Sequence, residues 1–438
     1  MRIEIAADGF YNPEPMTTSG TVTSNRFHSM DALRASALLL GIVFHVALSF
    51  TPYRLEVTPW AVYDPSPSHV LGSVAYVSHM FRMEVFFLIA GFFAHMVYHR
   101  QGAKSFFAIR AKRILVPFLV GWVLFYPLIV FLWVWGSIAS TAGGLPLKEQ
   151  VLAAWQPSVN FVLSPRRLFL ERGFTLLHLW FLYYLFVLYI VTILLRKALL
   201  SIPGNSDTIR RAADRGLKAA VSSWWIVPLV AIPIAAAIYI MKDWYGVVTP
   251  ERRVFPQPLI PTVSSLLVYL IFFGAGWLLH RQTDLLGCIS RRWKGNTAAG
   301  LVLGTILSIA FMGYLHVDTV NELKSSVWFR WLYCYLYGIV MLLLVLGVTG
   351  FFVRYFEKPS KKWRYLADSS YWLYIIHFPI VVFFQVALYR WEVYWAFKFT
   401  LINVVSFTIM LLSYHFLVRA TFIGATLNGR RFSPKIRQ

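Results

Sequence analysis

The chain has few acidic residues and few cysteines. It contains 19 Asp and Glu against 41 Lys and Arg, and it has two cysteines. Cys288 falls in a basic loop and Cys334 inside an apolar segment, so we expect no disulfide. No spacing of His and Cys resembles a zinc site, and neither a Walker loop nor a Gly-x-Ser-x-Gly elbow occurs. These absences argue against a metalloenzyme and against a nucleotide hydrolase.

Apolar residues dominate what remains. They make up 58% of the chain, with 36 Phe, 23 Tyr and 17 Trp, which is more apolar surface than a water-soluble core needs. Ten segments are close to the ~20 residues required to cross the hydrocarbon core of a bilayer. We therefore predict an all-α polytopic membrane protein with about ten transmembrane helices. The predicted spans are 26–50, 74–98, 114–135, 175–195, 222–241, 262–280, 297–315, 328–353, 369–389 and 397–418.

Positive charge is distributed unevenly between the connecting segments. The termini and every second loop together hold 27 Lys and Arg, whereas the alternate loops hold 11. Because Lys and Arg accumulate on the cytoplasmic side, the asymmetry predicts that both termini are cytoplasmic. It also accounts for the net charge of +22 without a nucleic-acid partner. Residues 1–25 lack the apolar core of a signal peptide. We predict a disordered cytoplasmic tail over 1–28, a transmembrane domain over 29–420 and a basic cytoplasmic tail over 421–438.

Two ionisable residues interrupt the first span. Arg34 and His45 are eleven positions apart, which brings them to nearly the same helix face and about 16 Å apart along the axis. Ionisable side chains within a membrane helix usually face the bundle interior or a wet cavity, and they mark a functional path. The structural alternative is an Arg34 side chain that reaches the interface and a His45 hydrogen-bonded between helices.

The predicted topology places further polar residues at the same two levels. Near the depth of His45 lie Arg82, Glu84 and His178, with Trp180 beside His178 and His377 near mid-depth. At the level of Arg34 lie Arg110 and Arg113. Clustered guanidinium groups suit a phosphate-bearing ligand. A histidine with a carboxylate neighbour suits general-base catalysis on a hydroxyl, with Glu84 fixing the tautomer of His45.

Each of these residues also has a structural interpretation. Arg110 and Arg113 could simply follow the charge rule, and Arg82 could form an ion pair with Glu84 that has no role in chemistry. His178 and Trp180 could anchor a helix at the membrane interface.

Taken in chain order, these motifs resemble the membrane-bound acyltransferase-3 family. The first span carries Arg-x10-His, and the second has an acidic residue before an apolar run (EVFFLIAGFF) in which Ala90 stands where Ser is usual. The third opens with Arg-x-x-Arg and Ile-x-x-Pro, and HLWFL and Tyr-x-x-His-x-Pro follow at 178–182 and 374–379. The resemblance extends over most of residues 30–380. The first two spans look most like the branch that succinylates osmoregulated periplasmic glucans.

The resemblance implies an O-acyltransferase of the bacterial cytoplasmic (inner) membrane. Such an enzyme takes an acyl group from cytoplasmic acyl-CoA, here succinyl-CoA or acetyl-CoA, and needs no metal. The acceptor is a hydroxyl of an extracytoplasmic glucan or another envelope polysaccharide. By this resemblance Arg34, Arg110 and Arg113 hold the donor phosphates and His45 and Glu84 are catalytic. Supporting roles fall to Arg82, His178, Trp180 and His377. The alternative function is a carrier or flippase for an acidic or lipid-linked saccharide.

Overall fold

The structure, a computed structural model, describes residues 27–52, 60–141, 144–170, 175–203, 206–241, 259–316 and 326–429. Helices account for most of these residues, and none of them lies in a β-strand. The described helices are α1 (His28–Leu48), α2 (His69–Arg110), α3 (Val116–Thr141), α4 (Leu147–Val162), α5 (Pro165–Leu170), α6 (Trp180–Leu200), α7 (Ser206–Ser222), α8 (Ile226–Tyr239), α9 (Val263–Arg281), α10 (Leu285–Arg291), α11 (Trp293–His316), α12 (Val327–Tyr355), α13 (Lys361–Ala387), α14 (Trp395–Ser413) and α15 (Phe422–Asn428). A π-helical turn (Ala111–Leu115) joins α2 to α3, and another (Tyr414–Val418) follows α14.

The prediction of an all-α membrane bundle is confirmed. Within the described ranges, eight helical segments are long and apolar enough to cross a bilayer, and the bent pair α7–α8, which meets at 111°, makes a ninth. One of the eight runs from His69 to Thr141 and has 73 residues. At ~1.5 Å per residue it is about 110 Å long, more than three times the ~30 Å hydrocarbon core. Its length therefore accommodates two crossings, which agrees with the ten predicted spans.

The long segment is interrupted at Gly102. This residue has φ +73° and ψ 169°, a conformation that glycine adopts without the steric penalty of a Cβ atom. On either side of the break, the rings of Tyr98 and Phe106 lie 5.8 Å apart, whereas eight residues of straight helix would separate them by about 12 Å. The helix axis therefore turns at Gly102, within α2.

Helix α1 occupies the middle of the bundle, where it contacts α2, α12, α13 and α14. Helix α2 in turn packs most extensively against α9. Two glycines permit this close approach: a Cβ on Gly91 would lie 1.9 Å from the carbonyl oxygen of Phe273, and one on Gly276 would lie 1.8 Å from that of Leu88. Small residues at such crossings let helix backbones meet in a membrane. Helix α2 also packs on α1, and Nη1 of Arg82 on α2 lies 3.4 Å from the carbonyl oxygen of Gly41 on α1.

Two segments differ from the sequence prediction. The predicted loop 136–174 contains the end of α3 and the helix α4, which packs on α3 through the buried residues Gln150, Ala154 and Ser158. Their spacing of four residues is that of one helix face. Part of the predicted tail 421–438 forms α15, which packs on the π-helical turn after α2. Residues 1–26 and 430–438 of the two predicted tails lie outside the described residues. Both cysteines are free, as predicted.

Candidate active site

His45 lies in the last turn of α1 and its imidazole is held on one side. Its Nδ1 is 2.7 Å from the carbonyl oxygen of Gly41, one turn earlier, and 3.1 Å from Nε2 of His377 on α13. Because a carbonyl oxygen can only accept, Nδ1 of His45 carries the hydrogen and donates it. In the neutral imidazole, Nε2 then has the free lone pair. No described residue hydrogen-bonds to Nε2, and the residue keeps partial solvent accessibility.

His377 has the same tautomer for the same reason. Its Nδ1 is 2.7 Å from the carbonyl oxygen of Tyr374, so that nitrogen also donates. Its Nε2 is then the acceptor for the Nδ1–H of His45. The two imidazoles thus form a directed chain, from His45 to His377 to the backbone of α13. Of the predicted site residues, the structure joins these two directly.

His178 lies beside these two imidazoles because it binds a backbone carbonyl that Pro379 leaves free. A proline inside α13 has no N–H, which leaves the carbonyl of Ile375, four residues earlier, without its helical partner. Nε2 of His178 lies 3.0 Å from that oxygen and donates to it. The His178 ring stacks on Phe378 at 4.9 Å and meets the His377 ring at 5.2 Å. Refilling of a carbonyl freed by proline is the expected pattern for a membrane helix. We call His45, His178 and His377 the histidine cluster.

A tryptophan and a glutamine cover the histidine cluster, and the sequence analysis missed both. Trp60 stacks on His45 with 6.0 Å between the ring centroids, and its Nε1 donates to Oε1 of Gln385 at 2.9 Å. Nε2 of Gln385 donates to the carbonyl of His45 at 2.9 Å. A lone amide inside the apolar run IVVFFQVAL was a usable signal for Gln385. Trp60 comes from a loop and had none.

The loop that carries Trp60 is held by a buried ion pair. Lys398 at the start of α14 pairs with Asp64, and both side chains are almost fully buried. Asp64 also accepts from the backbone N–H of Ser66 at 2.9 Å, and its own N–H donates to the carbonyl of Ser49 at 2.7 Å. Burial raises the pKa of Asp64 above its ordinary value, and the hydrogen bond from Lys398 opposes that rise.

Arg82 lies beside the histidine cluster, whereas Glu84 does not contact it. Arg82 is 4% exposed, its Nη1 lies 3.4 Å from the carbonyl of Gly41, and its guanidinium sits 4.2 Å above the Phe44 ring. Glu84 is 1% exposed, and its Oε2 has no hydrogen-bond partner among the described residues. The described structure contains no contact between Glu84 and His45. The predicted role of orienting His45 is filled by Gly41 and His377, which both contact its Nδ1.

The predicted arginines gather at the other end of α1. Nη2 of Arg34 donates to the carbonyl of Ala367 at 3.0 Å, and the carbonyl of Arg113 accepts from the hydroxyl of Tyr371 at 2.6 Å. Ala367 and Tyr371 are one turn apart on α13, so both arginines share one level of the bundle. We call Arg34, Arg110 and Arg113 the arginine cluster.

The arginine cluster has donors left over. Arg34 approaches Asp31 at 3.5 Å, and Arg110 sits above the rings of Phe106 and Tyr189 at 5.3 and 5.1 Å. The Nε atoms of Arg34 and Arg110 are buried and have no hydrogen-bond partner among the described residues. A buried donor without an acceptor is costly, which makes this end a candidate anion site.

Trp180, the first residue of α6, lies away from the histidine cluster. Its ring stacks on Tyr269 at 5.8 Å and meets the edge of Tyr184 at 5.6 Å. The first contact packs α6 on α9, and the second lies within α6. Among the described residues no group of three or more His, Cys, Asp or Glu side chains is arranged to hold a metal ion. The three imidazoles therefore do not form a ligand set.

Comparison with known proteins agrees with the motif order. The chain is similar to proteins described as "Glucans biosynthesis protein C" from Escherichia coli strain SMS-3-5 / SECEC and from E. coli O81 strain ED1a. Each is 26% identical over 374 residues, which cover 83% of this chain and 84% of the relative. No solved structure matches the chain. The family model described as "Acyltransferase domain" matches residues 27–415, which include both clusters. The chain therefore belongs to the acyltransferase-3 family, and it is a membrane acyltransferase.

Proposed function

We propose that the protein is an O-acyltransferase that moves a succinyl or acetyl group from acyl-CoA to a hydroxyl of a glucan or another envelope polysaccharide. The observation that carries the proposal is that the two ends of α1 present different unpaired polar groups. Arg34 at one end has spare cationic donors, and His45 at the other has an accessible imidazole nitrogen. Relatives named for glucan biosynthesis support a carbohydrate acceptor.

The arginine cluster is assigned to the phosphates of the donor. Guanidinium groups bind phosphate oxygens in pairs of parallel hydrogen bonds, and the buried Nε atoms of Arg34 and Arg110 would gain acceptors. The ~16 Å between Arg34 and His45 along α1 is a span that an extended pantetheine arm can cover. The thioester would then lie beside the histidine cluster.

The histidine cluster is assigned to the chemical step. Nε2 of His45 takes the proton of the acceptor hydroxyl while the oxygen attacks the thioester carbonyl. The new C–O bond forms and the C–S bond breaks. The proton then passes from His45 to the departing sulfur, which leaves as a thiol. Positioning and base catalysis suffice, so no covalent enzyme intermediate is needed.

Arg82 and Glu84 are assigned supporting roles. A guanidinium that is 4% exposed, with one long hydrogen bond and no carboxylate within ion-pair distance among the described residues, suits an anionic group of the substrate. The carboxylate of a succinyl group would supply it. Glu84, two residues further on α2, would offset part of the Arg82 charge until that group arrives. His178 keeps α13 in place through Ile375, and Trp180 supports α6.

The charge asymmetry of the loops supports a location in the bacterial cytoplasmic membrane, with both termini and the arginine cluster on the cytoplasmic side. Acyl-CoA would then enter from the cytoplasm, and the carbohydrate would approach His45 from the opposite side. In this arrangement the acyl group crosses the membrane inside the bundle.

The test is thermal stabilisation of the purified protein by acetyl-CoA, succinyl-CoA and free coenzyme A. A ligand that binds only the folded state raises the unfolding midpoint as its concentration exceeds its dissociation constant. Arg34→Ala and Arg110→Ala should weaken donor binding about 10- to 100-fold, the usual range for a charge-assisted hydrogen bond. Arg354→Ala, an exposed arginine at the end of α12, is the matched control and should bind normally.

Two outcomes would contradict the proposal. Folded wild-type protein that responds to no coenzyme A species would favour the carrier function. Stabilisation that is lost equally in Arg354→Ala would show non-specific attraction to basic surface instead of a site. Formation of acylated carbohydrate by detergent-solubilised protein completes the test, because a carrier makes no new ester.

A further inference from the structure

We propose that His377 is a positioning residue for His45: it accepts the Nδ1 hydrogen of His45 and stabilises the imidazolium that forms when Nε2 takes the substrate proton. This inference rests on the proposed function. It assigns to a neutral imidazole the part that a buried carboxylate plays in a catalytic triad.

The direction of the hydrogen bond is fixed before any substrate arrives. Nδ1 of His377 must donate to the carbonyl of Tyr374 at 2.7 Å, which leaves Nε2 as a lone-pair acceptor aimed at His45. That Tyr374 carbonyl is part of the α13 backbone, and the hydroxyl of the same tyrosine donates to the carbonyl of His178 at 2.6 Å. The acceptor nitrogen is therefore held by two helices and not by a single side-chain rotamer.

The carbonyl of Gly41 does not make His377 redundant. Its oxygen is approached by Nδ1 of His45 at 2.7 Å and by the guanidinium of Arg82 at 3.4 Å. An oxygen shared with a cation is a weaker acceptor for a second positive group. When His45 becomes an imidazolium, the Nδ1–H bond to His377 turns into a charge-assisted one, roughly twice as strong as a neutral bond.

A neutral hydrogen-bond acceptor for His45 also suits the groups that surround the two imidazoles. The groups that face the pair are Arg82 on α2, His178 before α6, Tyr374 on α13 and, beyond Phe44, His79 on α2. A carboxylate at position 377 would be a buried charge with a large desolvation cost. A second imidazole accepts the hydrogen without that cost, and it can share the proton during the reaction.

The experiment compares His377→Phe, which keeps a planar ring but has no acceptor, with His377→Gln, whose amide oxygen can accept. Turnover, the KM for the acyl-CoA donor and the pH profile of kcat are measured on purified protein. His377→Phe should lower kcat about 10- to 100-fold with the donor KM unchanged. The acidic limb of its pH profile should move to lower pH, because its imidazolium is less stabilised. His377→Gln should recover most of kcat.

The control uses a second imidazole pair in the same molecule. Nδ1 of His95 on α2 lies 2.8 Å from Nδ1 of His280 on α9, remote from the histidine cluster along α2. His280→Phe removes an equivalent contact and should leave kcat and its pH profile unchanged. If His377→Phe does not fold, as judged by its unfolding midpoint, His377→Leu replaces it with a smaller apolar side chain.

Failure of the inference about His377 can be distinguished from failure of the proposed function. Equal losses in His377→Phe and His377→Gln, with an unmoved pH profile, would show that His377 only packs. Wild-type kcat in His377→Phe would overturn the inference while leaving the proposed function intact. Absence of transfer by the folded wild-type protein would instead refute the proposed function itself.

Discussion

The two ends of α1 carry different ionisable side chains and leave different groups unpaired. At the Arg34 end, cationic groups rest against backbone carbonyls and aromatic rings and keep donors unsatisfied. At the His45 end, neutral imidazoles use their hydrogens in a fixed order, and one nitrogen is left over as an acceptor. The first arrangement has capacity to bind an anion, and the second has capacity to accept a proton. In the proposed function, a binding end and a chemical end are therefore separated along one helix.

The difference follows from where each charge can be tolerated. The side chain of Arg34 is 37% exposed, so its permanent charge keeps some contact with water. The histidine cluster lies within the bundle, where an ionised group would pay a large desolvation cost and a neutral imidazole does not. The imidazoles of the histidine cluster are therefore expected to carry a charge only during the reaction. Substitutions at the two ends should therefore affect different measurements.

The largest effect is expected from His45→Gln. Removal of a general base lowers the rate by about 10²- to 10⁴-fold, and the variant should still be stabilised by the acyl-CoA donor because the arginine cluster is intact. Turnover and donor-induced stabilisation are measured on the same preparation. Turnover within a few-fold of wild type would contradict the assignment of His45. Loss of donor stabilisation would contradict the separation of the two ends.

The shared helix face of Arg34 and His45 could be predicted from the sequence, whereas their side-chain contacts could be predicted only in part. Eleven residues of helix fix the relative faces of Arg34 and His45 whatever packs against them, so periodicity alone was sufficient. Which side chain meets His45 depends on the rotation of α2 and α13 about their own axes. Depth along the membrane does not reveal that rotation, and Glu84 was therefore predicted as the neighbour where His377 is observed.

The second-largest effect is expected from a substitution that perturbs the His45 end alone. Lys398→Met leaves the buried Asp64 carboxylate without its cation, which should cost about 3–5 kcal/mol of stability and release the loop that carries Trp60. The pKa of Asp64, already raised by burial, should rise further. A carboxyl that holds its proton more tightly when folded favours folding at low pH, and that contribution is lost as the pH rises through its folded-state pKa.

The loss in Lys398→Met should therefore be larger near about pH 8 than near about pH 5, as measured by the unfolding midpoint. The double variant Asp64→Asn, Lys398→Met is the control, and it should regain most of the stability with little pH dependence. Donor-induced stabilisation should persist in all three proteins. A uniform loss across pH would show that Lys398 contributes packing and not charge.

The fold was more predictable than the site. Runs of about 20 apolar residues must cross the bilayer or be buried, so length alone located the apolar spans. The turn in α2 depends on the backbone conformation of Gly102, and the helix α4 depends on one amphipathic face. Neither feature changes the number of apolar runs, so counting those runs does not reveal them. A proline within a membrane helix, such as Pro379, frees a carbonyl that a neighbouring group is expected to refill. The identity of that neighbour, His178, required the packing.

Gly276→Ala tests the close packing of α9 against α2. Gly276→Ala would place a Cβ 1.8 Å from the backbone oxygen of Leu88, which forces α9 away from α2. Overpacking of this kind costs about 1–3 kcal/mol. On the same helix, a Cβ added to Gly274 would meet nothing within 4 Å, so Gly274→Ala is the matched control. Equal unfolding midpoints for the two variants would contradict the close approach of these helices.

The smallest effect is expected from Gly429→Ala, which perturbs one member of the arginine cluster. Gly429 ends α15 with φ +72°, and a Cβ there would lie 1.3 Å from Nη2 of Arg113. The unusual backbone should cost about 1 kcal/mol, and the flexible Arg113 side chain should move aside. Donor affinity should then fall several-fold, since Arg34 and Arg110 remain, while turnover at saturating donor should not change.

Two further variants decide what the loss in Gly429→Ala means. Gly287→Ala, in open space on α10, should leave donor affinity unchanged. Adding Gly429→Ala to Arg113→Ala should cause no further loss of affinity, because both changes remove the same contact and coupled substitutions are not additive. Additive losses would show that α15 contributes to donor binding without Arg113. A lowered unfolding midpoint with unchanged affinity would reduce Gly429 to a helix cap and exclude Arg113 from the binding end.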